Sequence, residues 1–540
     1  MRPFLTLHNP KNAKAYYDHG LWRAETFYEL MMQHAAARPD APALRDGRGR
    51  LAWREVAAKV DAIAADLRGQ GLIAGDRVSL WISNRLEAIL VFIACSREGF
   101  SCNPSLHRTH TCAEVIHLLN QLNVAAFVTE EDWGADRADQ NLDAMLSELP
   151  FLKVVYDIEK LPCSGPAPDT LPADDPDAVG YLAFTSGTTG APKCVMHSAN
   201  TLLANARDMV RDWGLTAESK LLSLSPLSHH IAWVGVAQWL IFGGEMITDD
   251  PPAGVRRIDW VIDTKATYIM GVPIHAMDLL AQQRDAGVAR LGSVQTFYMA
   301  GSPIPPTVAA AFVYQGIQPQ NVYGMTENSS HQYTHPGDDM STIINTCGRG
   351  GPAYEIRIFD VENADVEVPQ GTVGQIGGKG ACLTLGYFAN QEDTQGSFNR
   401  DGWFLSGDLG SIDANDNLVV EGRLKDLIIR GGYNIYPSHI EALTMRHAEV
   451  EKAAAFPIAD ERLGEKVCLA VSGDVASHAI LDHLAAEGLS KYDMPEYFIR
   501  VDDFPLTASG KILKRDLVEM VKQGEIAPEA VRFQPKEGTD

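Results

Sequence analysis

Apolar residues recur along this chain at two spacings. In "AETFYELMMQHAAARPDAPAL" (Ala24–Leu44) they fall three and four apart, which predicts an amphipathic helix stopped by Pro39. "LAWREVAAKVDAIAADLRGQGLIAGDRVSLWI" predicts a helix over Ala52–Gln70, a glycine turn, then a strand through Val78–Ile82. "AILVFIAC" (Ala88–Cys95) and the interrupted "IAWVGVAQWLIF" (Ile231–Phe242) are apolar all round and read as buried helices. Both are short of the ~20 residues a membrane span needs. Helix and buried strand alternate to about residue 345, the pattern of α/β layers on largely parallel sheet. "LPCSGPAPDTLPADDPDA" (Leu161–Ala178) reads as a surface connection rich in Pro and Asp. From about Tyr354 the texture changes. "YEIRIFD", "GTVGQIGGKG" and "NLVVEGR" predict short strands with Gly and Asn turns, a small β-barrel-like subdomain. After Arg423 the segments are βαβ-like. The expected architecture is a large N-terminal α/β domain over 1–424, made of layered α/β subdomains plus that β subdomain. A smaller α+β C-terminal domain follows over 425–540.

Composition changes this picture little. The chain has 540 residues, too many for one ordinary core. Its net charge is −24 and no stretch is strongly basic, so nucleic acid and anionic membrane surfaces are poor partners. An anionic ligand must be met by a few well-placed cations and amides. The eight cysteines are scattered with no CxxC pair, which argues against a disulfide framework and a zinc site. The N-terminus "MRPFLTLHNPKNAK" lacks the apolar core of a signal peptide. Free thiols in a reducing cytoplasm fit best.

The candidate chemistry begins at "YLAFTSGTTGAPKCVMHS" (Tyr181–Ser198). Tyr181–Phe184 read as the end of a buried strand. The loop Thr185-Ser186-Gly187-Thr188-Thr189-Gly190 then gathers hydroxyls and permissive glycines whose N–H groups can converge on an anion, and Lys193 adds a point charge. An ordinary Ser/Thr/Gly turn is the bland alternative. The loop is not of the Walker A type, because Pro192 precedes Lys193 and Cys194 follows it. Four further stretches stand out. "NVYGMTEN" ends a strand with Tyr323 and offers Glu327. "WFLSGDLG" puts Asp408 on a turn. "EGRLKDLIIRGGYNIYP" combines Arg423 with Gly431-Gly432. "FPLTASGKILKRDL" presents Lys511 after a Thr-x-x-Gly turn. Singly, each has an ordinary structural reading: core packing, a helix-terminal charge, a turn cap, a solvated hairpin.

As an ordered set, these stretches resemble the adenylate-forming superfamily of acyl-CoA synthetases, firefly-luciferase-type enzymes and peptide-synthetase adenylation domains. The resemblance runs from the helix near Thr26 to Leu517. It implies that Thr185–Lys193 handles the phosphates of ATP. "AGSPIP", with Gly301, Ser302 and Pro303, would line the adenine, and Tyr323, followed by Gly324, would stack on it. Thr326 would contact phosphate, and Glu327 would hold Mg²⁺. Asp408 would accept the ribose hydroxyls, and Arg423 would contact ribose or phosphate. Lys425 falls at the hinge about which the C-terminal domain moves, and Lys511 matches the lysine reaching the reacting carboxylate and the α-phosphate. Gly431 and Gly432 would let the pantetheine arm of coenzyme A pass. "LSKYDMPEYF" (Leu489–Phe498) matches a further family segment.

Several features look like sites and are not read as such. "DANDN" begins like a calcium loop, but Leu418 and Leu424 stand where the loop needs Gly and Glu. His107-x-x-His110 reads as loop. In "PLSHHIAW", His229 matches a family histidine flanking the acyl pocket, while His230 would project oppositely on a strand and serve structure. Gly348-Arg349-Gly350-Gly351 is spoiled as a dinucleotide site by Pro352.

The chain ends 23 residues beyond Leu517, leaving no room for a carrier domain, so coenzyme A is the expected acceptor. The acyl pocket is expected from Trp233, Ile231, Val234, Met270, Val272 and Met325, with no Arg or Lys to meet a second carboxylate. "YYDHGLW" and "VYGMTENSSHQYTHPGDD" look like the bacterial branch acting on short- to medium-chain and cyclohexanecarboxylate-type acids. The expected enzyme is an AMP-forming acid–CoA ligase using ATP, Mg²⁺ and coenzyme A. An aryl-acid ligase is the alternative, and a luciferase-type enzyme a more remote one. The expected partners are small molecules, with no membrane span; a homodimer stays open.

Overall fold

The structure is a computed structural model, and it describes residues 3–185, 192–506 and 512–533. The chain divides into two compact units. The first comprises Met1–Glu355 with Lys379–Phe398, and the second Ile356–Gly378 with Asn399–Asp540. The sequence-based boundary at Lys425 lies inside the second unit.

The first unit is built on two sheets. An eight-stranded sheet carries, in spatial order, Ser329–Tyr333, Gln318–Met325, Thr296–Ala300, Tyr268–Gly271, Lys220–Ser223, Glu245–Thr248, Pro42–Arg45 and Arg50–Ala52. Its inner pairs are parallel and its two outermost pairs antiparallel. A six-stranded sheet orders Val154–Asp157, Ala126–Thr129, Arg77–Trp81, Ser101–Asn103, Val179–Thr185 and Lys193–Ser198, with only the last pair antiparallel. Alternate residues of each strand enter different cores, as a pleated strand requires. Val78, Leu80, Leu221, Met270 and Tyr298 share one core with the helices Phe27–Ala37, Trp53–Gly69, Leu86–Glu98 and His230–Phe242. Their strand neighbours Leu222, Ile269 and Phe297 pack on the other face against Arg257–Thr264, Pro273–Ala286 and Pro306–Tyr314. Trp81, Phe127 and Leu182 pack against Cys112–Leu122. The result is a layered α/β unit with helices between and outside the sheets.

The helices start where local chemistry directs. Thr26 accepts from the Glu29 N–H at 3.2 Å while the Glu29 carboxylate accepts from the Thr26 N–H at 2.8 Å, closing a capping box. The helix ends at Ala37, ahead of Pro39, as the apolar spacing predicts. The predicted helix and strand near residues 52–82 appear as Trp53–Gly69 and Arg77–Trp81.

The second unit holds two sheets. Tyr354–Phe359, Gly374–Gly380, Phe404–Ile412 and Leu418–Arg423 form a four-stranded one, whose first two strands run across the division between the units. The other has six strands, with Lys452–Asp460 and Gly464–Ser472 as its longest antiparallel pair. All eight cysteines are free. Among the described residues, no helix is long and apolar enough to cross a membrane.

Candidate active site

Strand Val179–Thr185 brings Thr185 to the mouth of the candidate phosphate loop, and Lys193–Ser198 leads away antiparallel, with Thr185 and Lys193 as Cα partners. Ser186, Gly187, Thr188, Thr189 and Gly190 lie outside the described residues, as does Lys511. Lys193 Nζ pairs with the Asp393 carboxylate at 3.3 Å and sits 5.0 Å from the centre of the Tyr387 ring.

Strand Gln318–Met325 runs beside Thr296–Ala300, with Val322 opposite Ala300, so Tyr323 lies alongside the turn Gly301-Ser302-Pro303. Gly301 has φ 91°, which turns the chain out of its strand. Gly324 admits no other residue, because a Cβ there would lie 1.7 Å from the Ser329 carbonyl oxygen. The close approach of the antiparallel strand Ser329–Tyr333 imposes that requirement.

Glu327 is buried. Its carboxylate accepts a hydrogen bond from the Tyr387 hydroxyl at 2.9 Å, and its carbonyl accepts from the Thr384 N–H at 2.6 Å. Among the described residues, no group of three or more His, Cys, Asp or Glu could hold a metal. One buried carboxylate nevertheless suits Mg²⁺, which takes one or two carboxylates and completes its shell with phosphate oxygens and water. The neighbouring Thr326 is held by a histidine that sequence reasoning missed. His197 Nε2 lies 2.7 Å from the Thr326 carbonyl and Nδ1 lies 3.0 Å from Thr201 Oγ1. A carbonyl only accepts, so Nε2 carries the proton and Nδ1 accepts from the threonine hydroxyl. Burial lowers the His197 pKa to about 4, which keeps it in that neutral form.

His331 is also fully buried, and neither ring nitrogen has a hydrogen-bond partner among the described residues. It packs edge-on to Tyr323 at 5.4 Å and against Tyr354 at 4.2 Å, and burial lowers its pKa to about 3. For both histidines the folded pKa lies below the unfolded value of about 6.5. The unfolded chain therefore binds more protons in that interval. Their contribution is present above pH ~6.5 and is lost as pH falls toward the folded values, by up to about 1.4 kcal/mol per pH unit for each. Urea midpoints are expected to drop between pH 7 and pH 5, and His331→Leu to drop less than the parent. Equal losses in the two would remove His331 from this account.

His229 precedes the helix His230–Phe242, and its ring stacks on His107 at 4.3 Å. His107 lies 3.0 Å from Ser228 Oγ. The strand expected around His230 is corrected: His230 opens the helix and points inward, with Nδ1 3.2 Å from the Tyr181 hydroxyl and Nε2 3.2 Å from Ser329 Oγ. The following residues are apolar except for Gln238, and a run of this length satisfies its backbone as a buried helix. Of the acyl-pocket candidates, Trp233, Val234 and Met270 are buried, and Ile231, Val272 and Met325 half-buried. Trp233 donates from its indole N–H to the Leu227 carbonyl at 2.6 Å and packs on Phe92 at 4.6 Å between ring centres.

In the second unit, Asp408 and Arg423 are cross-strand Cα partners and form an ion pair at 3.4 Å. The turn expected at Asp408 is corrected, because it lies within the strand Phe404–Ile412. Gly407, with φ 75°, marks a bulge there: the register against Gly374–Gly380 slips between Gln375 and Gly377. A Ser-Gly-Asp run reads as a turn in sequence, whereas Asp408 pairs with Arg423 on one side, and Leu405 and Leu409 pair with Gly377 and Gln375 on the other, so the strand continues through it. Lys425 follows in the short 3₁₀ turn Leu424–Asp426. Gly431 and Gly432 are the two loop residues of the hairpin joining Ile428–Arg430 to Tyr433–Ile435, with φ 61° and 85°. A two-residue type I′ turn needs positive φ at both positions, so these glycines have a structural reason to be there.

Comparison with known proteins places the chain. The AMP-binding enzyme family model matches residues 31–388, and the model of the AMP-binding enzyme C-terminal domain matches 439–511. The chain belongs to the AMP-binding enzymes, and it is an AMP-forming acid–thiol ligase. Its curated relatives include the medium-chain fatty-acid–CoA ligase of Escherichia coli K12, 28% identical and aligned over 97% of this chain and 96% of that one. A salicylyl-CoA synthase/salicylate adenylyltransferase of a Streptomyces species is 30% identical over 97% and 98%. Among solved structures, ATP-bound MatB from Rhodopseudomonas palustris superposes with a TM-score of 0.82 at 26% identity, covering 92% of this chain and 99% of that one.

Proposed function

We propose that this enzyme joins a neutral, apolar monocarboxylic acid, of medium-chain or alicyclic (cyclohexanecarboxylate-like) type, to coenzyme A through an acyl-AMP. The observation carrying the proposal is the apolar set Trp233, Ile231, Val234, Met270, Val272 and Met325, which includes no cation for a second carboxylate. The identity to the salicylyl-CoA synthase favours a second reading, an aryl acid.

The residue roles follow from charge. A carboxylate attacks a polyanionic triphosphate only when positive charge sits where negative charge accumulates. Thr185–Lys193 would cradle the phosphates, and Lys511 would place its ammonium at the α-phosphate and the attacking carboxylate. Glu327 would hold Mg²⁺, which when bound neutralises part of the charge of the departing pyrophosphate. Tyr323 and Gly301–Pro303 would hold adenine, and Asp408 the ribose hydroxyls beside Arg423. Thr326 would contact phosphate from a backbone that His197 holds. His229 would flank the reacting acyl group. The domain beginning at Lys425 would turn about that residue, exchanging Lys511 for the Gly431-Gly432 turn before the thiol attacks. Such an enzyme would work in the cytoplasm, where coenzyme A and ATP are supplied.

With ATP, Mg²⁺, coenzyme A and a panel of acids, the purified chain is expected to release AMP and pyrophosphate and to prefer medium-chain or alicyclic acids. ADP and phosphate with every active acid would sink the adenylation reading. A preference for salicylate or benzoate would select the aryl alternative.

A further inference from the structure

Two charged groups assigned to the phosphate site, Lys193 and Glu327, lie far apart in sequence, and a third segment binds to both. Thr384–Phe388 runs along the strand that begins with Lys193. Leu385 donates to the Met196 carbonyl at 2.8 Å, Met196 to the Gly386 carbonyl at 3.0 Å, and Phe388 to the Cys194 carbonyl at 2.7 Å. The same segment grips Glu327 through the Thr384 N–H on its carbonyl and the Tyr387 hydroxyl on its carboxylate. The Tyr387 ring lies under the Lys193 ammonium, and Asp393, in the short helix Gln391–Gly396 that follows, pairs with that ammonium.

We propose that Tyr387 is a positioning residue that presets the Glu327 carboxylate for the metal, and that Asp393 is the resting partner Lys193 gives up when phosphate binds; both rest on the adenylation reading above. The chemistry of each contact suits its task. Tyr387 is buried, at 5% exposure, and a carboxylate bonded to a buried hydroxyl has one lone pair committed and its plane set. A neutral phenol hydroxyl is a donor, and here it donates to the Glu327 carboxylate at 2.9 Å. The Lys193–Asp393 pair is partly exposed on both sides, at 31% and 41%. Pairs of that kind contribute little, so a triphosphate can displace Asp393 at small cost. The resting pair keeps the ammonium over the Tyr387 ring instead of dispersed in solvent.

The test uses the full chain and ATP binding by equilibrium dialysis, with no acid present, across a Mg²⁺ titration. Tyr387→Phe keeps the ring and removes only the hydroxyl. It is expected to leave metal-free ATP affinity within about twofold and to cut the Mg²⁺-dependent gain in affinity about tenfold, the order expected for a lost bond to a charged group. Asp393→Asn is expected to strengthen metal-free binding of inorganic pyrophosphate about threefold, because Lys193 no longer has to leave a partner. Thermal midpoints measured alongside separate folding from positioning. An unchanged Mg²⁺ response in Tyr387→Phe, or an equal fall with and without metal, overturns the role of Tyr387. Unchanged or weaker pyrophosphate binding in Asp393→Asn overturns the role of Asp393. A parent chain that bound no ATP at all would overturn the adenylation reading itself, an outcome distinct from both.

Discussion

Lys511→Ala is expected to lower acyl-AMP formation at least about a hundredfold while leaving conversion of supplied acyl-AMP and coenzyme A to the thioester largely intact. The magnitude is that of removing one preorganised charge or donor from a transition state. The split follows from the chemistry: the α-phosphate gathers charge only in the first half-reaction, whereas the thiol attacks an acyl carbonyl in the second. The complementary variant is dictated by the hairpin. Gly431 has φ 61°, so a bulky or branched replacement there would strain the turn and confuse the result. Gly431→Asn puts a residue that tolerates positive φ at the first position of a type I′ turn. It is expected to form acyl-AMP and pyrophosphate normally and to slow the thioester step. Assays of pyrophosphate release and of thioester from synthetic acyl-AMP separate the two. If both variants, still folded, lost both half-reactions equally, one fixed arrangement would serve both steps, and alternation about Lys425 would be wrong.

Trp233→Ala is expected to destabilise the first unit by about 3–5 kcal/mol, the range for removing a large aromatic from a packed core. Trp233 is 1% exposed, packs against Phe92 and Tyr181, and ties its indole N–H to the Leu227 carbonyl in the turn that leads to His229. Denaturant midpoints should show the loss directly. The proposed place of Trp233 in the acyl wall makes a further demand: the variant should shift its preference toward larger acids, scored as ratios of kcat/KM. Lost stability with an unchanged ranking would assign Trp233 to the core alone.

Local pattern alone determined much of this protein. The capped helix Phe27–Ala37, the helix–strand pair Trp53–Gly69 and Arg77–Trp81, and the buried helices Leu86–Glu98 and His230–Phe242 each follow from the spacing of apolar residues within one segment. The order of the chemistry-bearing stretches was enough to indicate the family, because each is contiguous and carries its own Gly, Thr or charged residues at short range. What the sequence left undecided depends on partners distant in the chain. Asp408 reads as a turn residue until Arg423, on the neighbouring strand, pairs with it. Gly324 looks merely permissive until Ser329 approaches it. His197 and Tyr387 gave no signal, since a histidine before a serine and a tyrosine after a glycine are ordinary in a loop. They matter because folding brings His197 to the Thr326 carbonyl, 129 positions away, and Tyr387 to the Glu327 carboxylate, 60 positions away. A hydrogen bond depends on the position of both atoms, and one-dimensional spacing specifies neither at such separations; only the packed sheets hold those atoms together.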